Sequence, residues 1–112
     1  FHCLKEILAP YSSGMVVVTD KADNFYLNTH HVMKNKKPMY FGSVKINKNY
    51  VSFHLMPVYV FPELLENISP ELKKRMQGKS CFNFKSTDAI LFQELKELTQ
   101  AGYGEYQKAN YL

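Results

Sequence analysis

The stretch MYFGSVKINKNYVSFHLM, residues 39–56, decides the fold, because it contains two apolar strands around an Asn-Lys-Asn turn. A two-residue turn at Lys48 and Asn49 joins the strands, since Asn tolerates the positive φ that tight hairpins need. In this register the apolar cross-strand pairs lie on one face of the hairpin and the polar pairs lie on the other. A slip by one residue would bury the polar residues. The apolar pairs are Ile46 with Val51, Val44 with Phe53 and Gly42 with Leu55; the polar pairs are Lys45 with Ser52 and Ser43 with His54. The pattern therefore predicts an antiparallel hairpin with one buried face.

The residues before this hairpin predict a helix followed by a second hairpin. A helix over residues 1–9 places Leu4, Ile7 and Leu8 on one side and ends at Pro10. The β-branched run over residues 15–19 predicts a buried strand, and residues 25–28 predict the returning strand. The polar, basic stretch over residues 28–38 predicts a loop.

The residues after residue 57 predict two helices and one strand. Ser69, Pro70 and Glu71 are typical of a helix start, and Gly78 is typical of a helix end, so we expect a helix over residues 70–77. Residues 81–85 alternate with Phe82 and Phe84 on one face, which predicts a strand. Thr87 and Asp88 cap a last helix, which Gly102 and Gly104 should end. Its predicted apolar face contains Ile90, Leu91, Leu95 and Leu98.

The order of these elements predicts a two-layer α+β fold. Strands joined by tight turns form a mainly antiparallel sheet of about five strands, whose apolar face needs the N- and C-terminal helices as a cover. The 112 residues fit a single domain over 1–112, large enough to hold a core without metal or disulfide staples. Because the chain begins without Met inside a predicted helix, we expect further residues upstream.

The composition limits the classes of partner. The net charge of +4 is milder than that of most nucleic-acid domains, and the chain has none of the helix-turn-helix, RNA-recognition or zinc-binding signatures, so nucleic acid is not an expected partner. The longest nearly apolar stretch, residues 55–62, is far shorter than the roughly 20 residues of a membrane span. Two cysteines are too few for a disulfide scaffold, so we expect a cytoplasmic protein without membrane partners.

Candidate metal and nucleophile sites have weak support in the sequence. The histidines, cysteines and carboxylates lack the spacing typical of transition-metal ligands, so we expect neither a metal site nor a cofactor. Cys81 and His54 could form a thiol–imidazole pair if their strands are neighbours. A buried structural Cys81 is the preferred alternative, and catalytic residues are not expected.

The polar face of the predicted sheet is the candidate ligand site. Lysines, a titratable histidine and neutral hydrogen-bonding groups together suit an anionic or polar ligand. Phe41 and Met56 are expected to give this face an apolar floor. The alternative is an ordinary solvated sheet face. The candidate ligand-binding residues are Ser43, Lys45, Ser52, His54, Asn83 and Lys85.

A second apolar run suggests association. Tyr59, Val60 and Phe61 are too apolar for an ordinary connection, so they either pack under the C-terminal helix or form a homodimer interface.

Two longer motifs resemble a known family. MYFGSVKINKNYVSFHLMPVY, residues 39–59, and SPELKKRMQGKSCFNF, residues 69–84, resemble the bacterial YdhG-like domain-of-unknown-function family. The resemblance extends over nearly the whole chain. It implies a small α+β domain with an antiparallel sheet, and for one branch of the family a frataxin-like intracellular iron chaperone. It implies no particular ligand residue here.

The functional hypothesis is a non-enzymatic cytoplasmic module that binds a small molecule or a protein, with a possible homodimer. The alternative is an iron chaperone with iron as its cargo, although iron handling of that kind uses an acidic surface and this chain is net basic. An enzyme is the least favoured class.

Overall fold

The chain folds around one antiparallel sheet in a computed structural model that describes residues 2–32, 36, 38–86 and 88–111. The strands are β1 (Val16–Lys21), β2 (Asn24–Val32), β3 (Pro38–Ile46), β4 (Val51–Leu55), β5 (Met76–Gln77) and β6 (Cys81–Phe84). Their spatial order is β1-β2-β3-β4-β6-β5, and every neighbouring pair is antiparallel. The predicted α+β class is confirmed, with β5 as an additional short strand.

The helical segments form the second layer. They are α1 (His2–Leu8), a 3₁₀ turn (Ala9–Gly14), α2 (Pro57–Val60), a 3₁₀ turn (Pro62–Leu65), α3 (Pro70–Lys73) and α4 (Ala89–Lys108). The three short helices all contact α4. In turn α4 buries Leu91, Leu95 and Leu98 in the core. The four helices therefore share one face of the sheet.

The central hairpin has the predicted register. All five predicted pairs between β3 and β4 are present, and Val44, Phe53 and Leu55 are completely buried. The prediction that Ile46 is buried is wrong, since Ile46 is 42% exposed, and Val51 is only half-buried. Both residues lie at the turn end of the hairpin, where the helical layer covers the sheet incompletely.

A β-bulge interrupts the alternation of β3. Leu27 pairs with Gly42, but the next residue of β2, Asn28, pairs with Tyr40. Phe41 is therefore an additional residue in β3, and the bulge reverses the alternation of side chains on its far side. As a result Phe41 is completely buried, and the expectation that it lines the polar face is wrong.

The face away from the helices is called the open face here. Tyr40 belongs to it, because Tyr40 pairs with Asn28 on that side. Met56 does not contribute the expected floor, since it packs against the core. The strand registers place on the open face Val16, Thr19, Lys21, Asn24, Tyr26, Asn28, Tyr40, Ser43, Lys45, Ser52, His54, Gln77, Cys81 and Asn83.

Strands β1 and β2 differ from their predictions. The prediction of a buried strand over residues 15–19 is wrong, because β1 is an edge strand whose Val16, Val17 and Val18 are 40%, 43% and 53% exposed. An edge strand has a neighbour on one side only, so its side chains are less covered. The predicted loop over residues 28–38 is also wrong up to Val32, since β2 extends to that residue; residues 33–35 and 37 lie outside the described part of the chain.

The predicted helix over residues 70–77 is shorter than expected. Ser69 caps it as predicted, accepting a hydrogen bond from the Leu72 amide. However, α3 ends at Lys73, and Met76 pairs with Phe82 in the sheet. Gly78 has φ +82° and lies in the turn between β5 and β6 instead of ending a helix.

Helix α4 does not end at Gly102. A Cβ atom on that residue would lie 2.7 Å from Cβ of Pro57, so glycine allows α2 to approach α4 closely. Asp88 caps α4 as predicted, accepting a hydrogen bond from the Leu91 amide at 3.1 Å, while Thr87 lies outside the described residues. Ile90 is 82% exposed, so its predicted place on the apolar face is wrong.

The apolar run after Pro57 packs mainly within the domain. Val60 and Phe61 pack against the core, and the ring centroid of Phe61 is 6.4 Å from that of Tyr106. Tyr59 remains 53% exposed. The alternative of packing under the C-terminal helix therefore explains two of the three side chains, and the homodimer stays a prediction.

The two glycines of α4 should respond oppositely to substitution by alanine. We expect Gly104→Ala to raise the free energy of unfolding by about 0.5–1 kcal/mol, because nothing obstructs its Cβ and alanine favours the helix. We expect Gly102→Ala to lower it, since overpacking against Pro57 costs about 1–3 kcal/mol and exceeds the propensity gain. Urea denaturation measures both changes, and equal stabilisation by the two substitutions would contradict the close packing of α2 on α4.

Candidate functional site

The strand registers bring five of the six candidate ligand residues together. Ser43 lies opposite His54, Lys45 lies opposite Ser52, and Ser52 lies opposite Asn83. These pairs extend over β3, β4 and β6 at the centre of the open face.

Lys85 is separate from this group. It follows the last residue of β6 and lines a cleft together with Phe84 and Phe92, which belong to the helix-covered side. The alternation that predicted its place on the open face ends where the strand ends.

Two tyrosines that the sequence analysis did not select complete the site. The rings of Tyr26 and Tyr40 stack, with centroids 4.6 Å apart and planes at 17°. The ring of His54 meets that of Tyr40 edge to face at 5.1 Å. The Tyr40 hydroxyl is hydrogen-bonded to the Ser43 hydroxyl. Burial raises the pKa of Tyr40, so this hydroxyl stays protonated at neutral pH.

His54 is held by the turn before β6. Its Nε2 atom is hydrogen-bonded to the hydroxyl of Ser80, and the Leu55 amide donates to the Ser80 carbonyl at 2.9 Å. Ser80 is only 7% exposed. Burial lowers the pKa of His54 below its usual value of 6.5, so the imidazole is neutral at pH 7. A neutral, fixed imidazole can exchange hydrogen bonds with a ligand.

Cys81 lies directly opposite His54, so the condition for a thiol–imidazole pair is met in the strand order. The pair is not arranged as an activated nucleophile, because Nε2 of His54 contacts Ser80 and the Cys81 thiol points to Oδ1 of Asn83 at 3.5 Å. Burial raises the pKa of Cys81, which keeps the thiol protonated. The geometry therefore favours a structural role for Cys81.

Charge is segregated between the two faces. The ten acidic side chains are Glu6, Asp20, Asp23, Glu63, Glu66, Glu71, Asp88, Glu94, Glu97 and Glu105. None is on the open face as the registers define it. Asp20 is opposite Phe25 on the helix-covered side and forms an ion pair with Lys5 at 2.8 Å. Among the described strand residues, the formal charges of the open face are those of Lys21 and Lys45, while Asp23 lies in the turn between Lys21 and Asn24 at the edge of this face.

Metal-ligand groups are not assembled in the part of the chain that the structure describes. No three His, Cys, Asp or Glu side chains there lie close enough to share a metal ion. Glu94, a carboxylate of α4, accepts hydrogen bonds from the Ser69 amide and hydroxyl, both at 2.6 Å. The iron role stays a prediction without a supporting contact.

Comparison with protein-family models, with curated proteins and with solved structures found no match to this chain. The resemblance to the YdhG-like family therefore stays a prediction. Among the described helices, none is both long and apolar enough to cross a bilayer.

The lowered pKa of His54 predicts a pH-dependent stability. In the unfolded chain His54 takes up a proton near its usual pKa of about 6.5, whereas the folded chain resists protonation until a lower pH. Stability from this residue is therefore complete above about pH 6.5 and is lost as the pH falls through that value toward the folded pKa. Denaturation at a series of pH values should show that the free energy of unfolding decreases less with falling pH in His54→Gln than in the wild type. His30→Gln, at an exposed histidine of β2, is the matched control. If the free energy of unfolding depended equally on pH in the wild type and in His54→Gln, the assignment of this pH dependence to His54 would be contradicted.

Proposed function

We propose that this chain is a non-enzymatic, cytoplasmic binding module of the YdhG-like type that binds a small organic anion on its open face. The observation that carries the proposal is the charge distribution: Lys21 and Lys45 take part in the register pairs of that face, whereas none of the ten carboxylates does. A surface with more positive than negative charge attracts anions and raises their local concentration.

The lysines of the open face are available to a ligand. The ion pairs found among the described residues join Lys5 to Asp20 and Lys108 to Glu105, and neither pair is on this face. Lys21 and Lys45 are both exposed. Because they flank Asn24 along one cross-strand row, a bound anion could meet both charges and neutral donors at once.

The centre of the face is organised for contact with a ligand. Tyr26, Tyr40 and His54 form a packed cluster in which Ser43 holds the Tyr40 hydroxyl and Ser80 holds Nε2 of His54. Side chains fixed in this way lose little conformational entropy when a ligand binds. Aromatic rings beside hydrogen-bonding groups are typical of small-molecule sites.

The contacts of the polar groups support binding over catalysis. A catalytic pair needs to be accessible to its substrate, and Nε2 of His54 is hydrogen-bonded to Ser80, a residue that is only 7% exposed. The protonated thiol of Cys81 is a poor nucleophile. The polar cluster therefore supports a role in holding a ligand.

Titration with ATP in metal-free buffer, followed by amide signals in NMR spectra, tests the proposed site. We expect saturable shifts in the amides of β2, β3 and β4, weakening as salt screens the charges. Lys45→Gln should weaken binding by about fivefold, in line with the loss of one exposed charge contact. Lys96→Gln, which removes an exposed lysine from α4, is the matched control and should leave binding unchanged.

Shifts spread evenly over the surface, or equal effects of the two lysine substitutions, would contradict a site on the open face. Equal effects would mean that ATP responds only to the net charge of the chain.

A further inference from the structure

A second cleft lies on the helix-covered side of the sheet, at the turn end of the central hairpin. Its volume is about 280 Å³, close to the lower end of the range of ligand pockets. The side chains that line it are Leu4, Ile46, Asn47, Asn49, Tyr50, Val51, Phe84, Lys85, Ser86 and Phe92. None of them belongs to the open face, so this cleft is separate from the proposed anion site.

The cleft explains why the hairpin is not buried at this end. Leu4 and Phe84 are 1% and 4% exposed and form its floor, while Ile46 and Tyr50 remain 42% and 38% exposed at its mouth. The ring of Phe92 meets that of Phe84 edge to face at 5.0 Å, so α4 covers Phe84 without reaching the turn. Apolar side chains are thus left accessible in a concave place, where an apolar ligand would remove them from water.

The polar groups of the cleft define the charge of its ligand. Among the described residues that line it, Lys85 alone has a charged side chain, and Asn47, Asn49 and Ser86 supply neutral hydrogen-bonding groups. Asn47 is partly engaged, donating to the Ser52 hydroxyl at 3.1 Å. The combination of apolar walls with one lysine favours a ligand with an apolar body and one negative charge.

A neighbouring cleft of about 330 Å³ lacks this selectivity. It shares Phe84, Lys85 and Ser86 with the first, but Glu71 and Asp88 stand beside Lys74 and Arg75 in its lining. Mixed charges favour no single sign of ligand.

We propose that the cleft between the hairpin turn and the start of α4 binds a small aromatic monoanion, with the ring system against Tyr50, Val51 and Phe84 and the anionic group at Lys85. A bicyclic aromatic carboxylate has suitable size and chemistry. Aromatic rings gain from edge and face contacts with Tyr and Phe, and a carboxylate gains a charge-assisted hydrogen bond from a lysine.

The experiment compares naphthalene-2-carboxylate with its neutral analogue naphthalene-2-carboxamide, using amide shifts in NMR spectra of the full chain. We expect saturable shifts in segments 46–51 and 84–86 for both probes, with the carboxylate bound about fivefold more tightly. Lys85→Gln should reduce carboxylate affinity to that of the carboxamide. Lys48→Gln removes an exposed lysine of the hairpin turn that does not line the cleft. This control variant should keep the preference of the wild type for the carboxylate over the carboxamide.

A bulky substitution tests whether the two probes occupy the cleft, independently of the charge of Lys85. Ile46→Trp changes a residue that is already 42% exposed, so the fold should tolerate it, while the larger ring fills the mouth and should abolish the shifts of both probes. Core amide signals that match those of the wild type verify that the Ile46→Trp variant is folded. Equal affinities of the two probes for the wild type, retention of the carboxylate preference in Lys85→Gln, or shifts on the open face instead of the cleft would each overturn the proposal.

Discussion

The β-bulge at Phe41 is the constraint on which both faces of this protein depend. One additional residue in β3 turns Phe41 toward the helices, where its ring packs near those of Tyr103 and Tyr106. The same residue turns Tyr40 to the open face, where it stacks on Tyr26. Without the bulge, regular alternation would place Phe41 with His54 and Ser43, and the large apolar ring would lie in water. The bulge therefore creates the core and the polar cluster together.

The fold could be predicted where the local apolar pattern decides it. The register of the central hairpin follows from Val44, Phe53 and Leu55 alternating with polar residues on both sides of the turn. The expected positive φ at Asn49 is wrong, since Asn49 does not adopt it, so the apolar pattern sets this register. The predictions failed where tertiary context decides: Val17 looks apolar enough for a core but lies on an edge strand, and Gly102 looks like a helix end but is the contact point of α2. The local sequence shows neither the edge position of Val17 nor the contact of Gly102 with α2.

The candidate site could be predicted in part for the same reason. Strand alternation placed Ser43, His54 and Asn83 on one face, and the registers agree. Tyr26 could have been found, because it alternates with the buried Phe25 and Leu27. Tyr40 could not, since a bulge leaves no sequence signal that alternation alone detects. Ser80, which holds His54, lies in a turn that the sequence analysis assigned to the end of a helix.

Contacts between aromatic rings measure the effect of the bulge most directly. In a nuclear Overhauser experiment on the wild-type chain, the account predicts cross-peaks from the Tyr40 ring to the rings of Tyr26 and His54, and from the Phe41 ring to that of Tyr106. Cross-peaks from Phe41 to His54, together with cross-peaks from Tyr40 to Tyr106, would show uninterrupted alternation in β3 and would contradict the account.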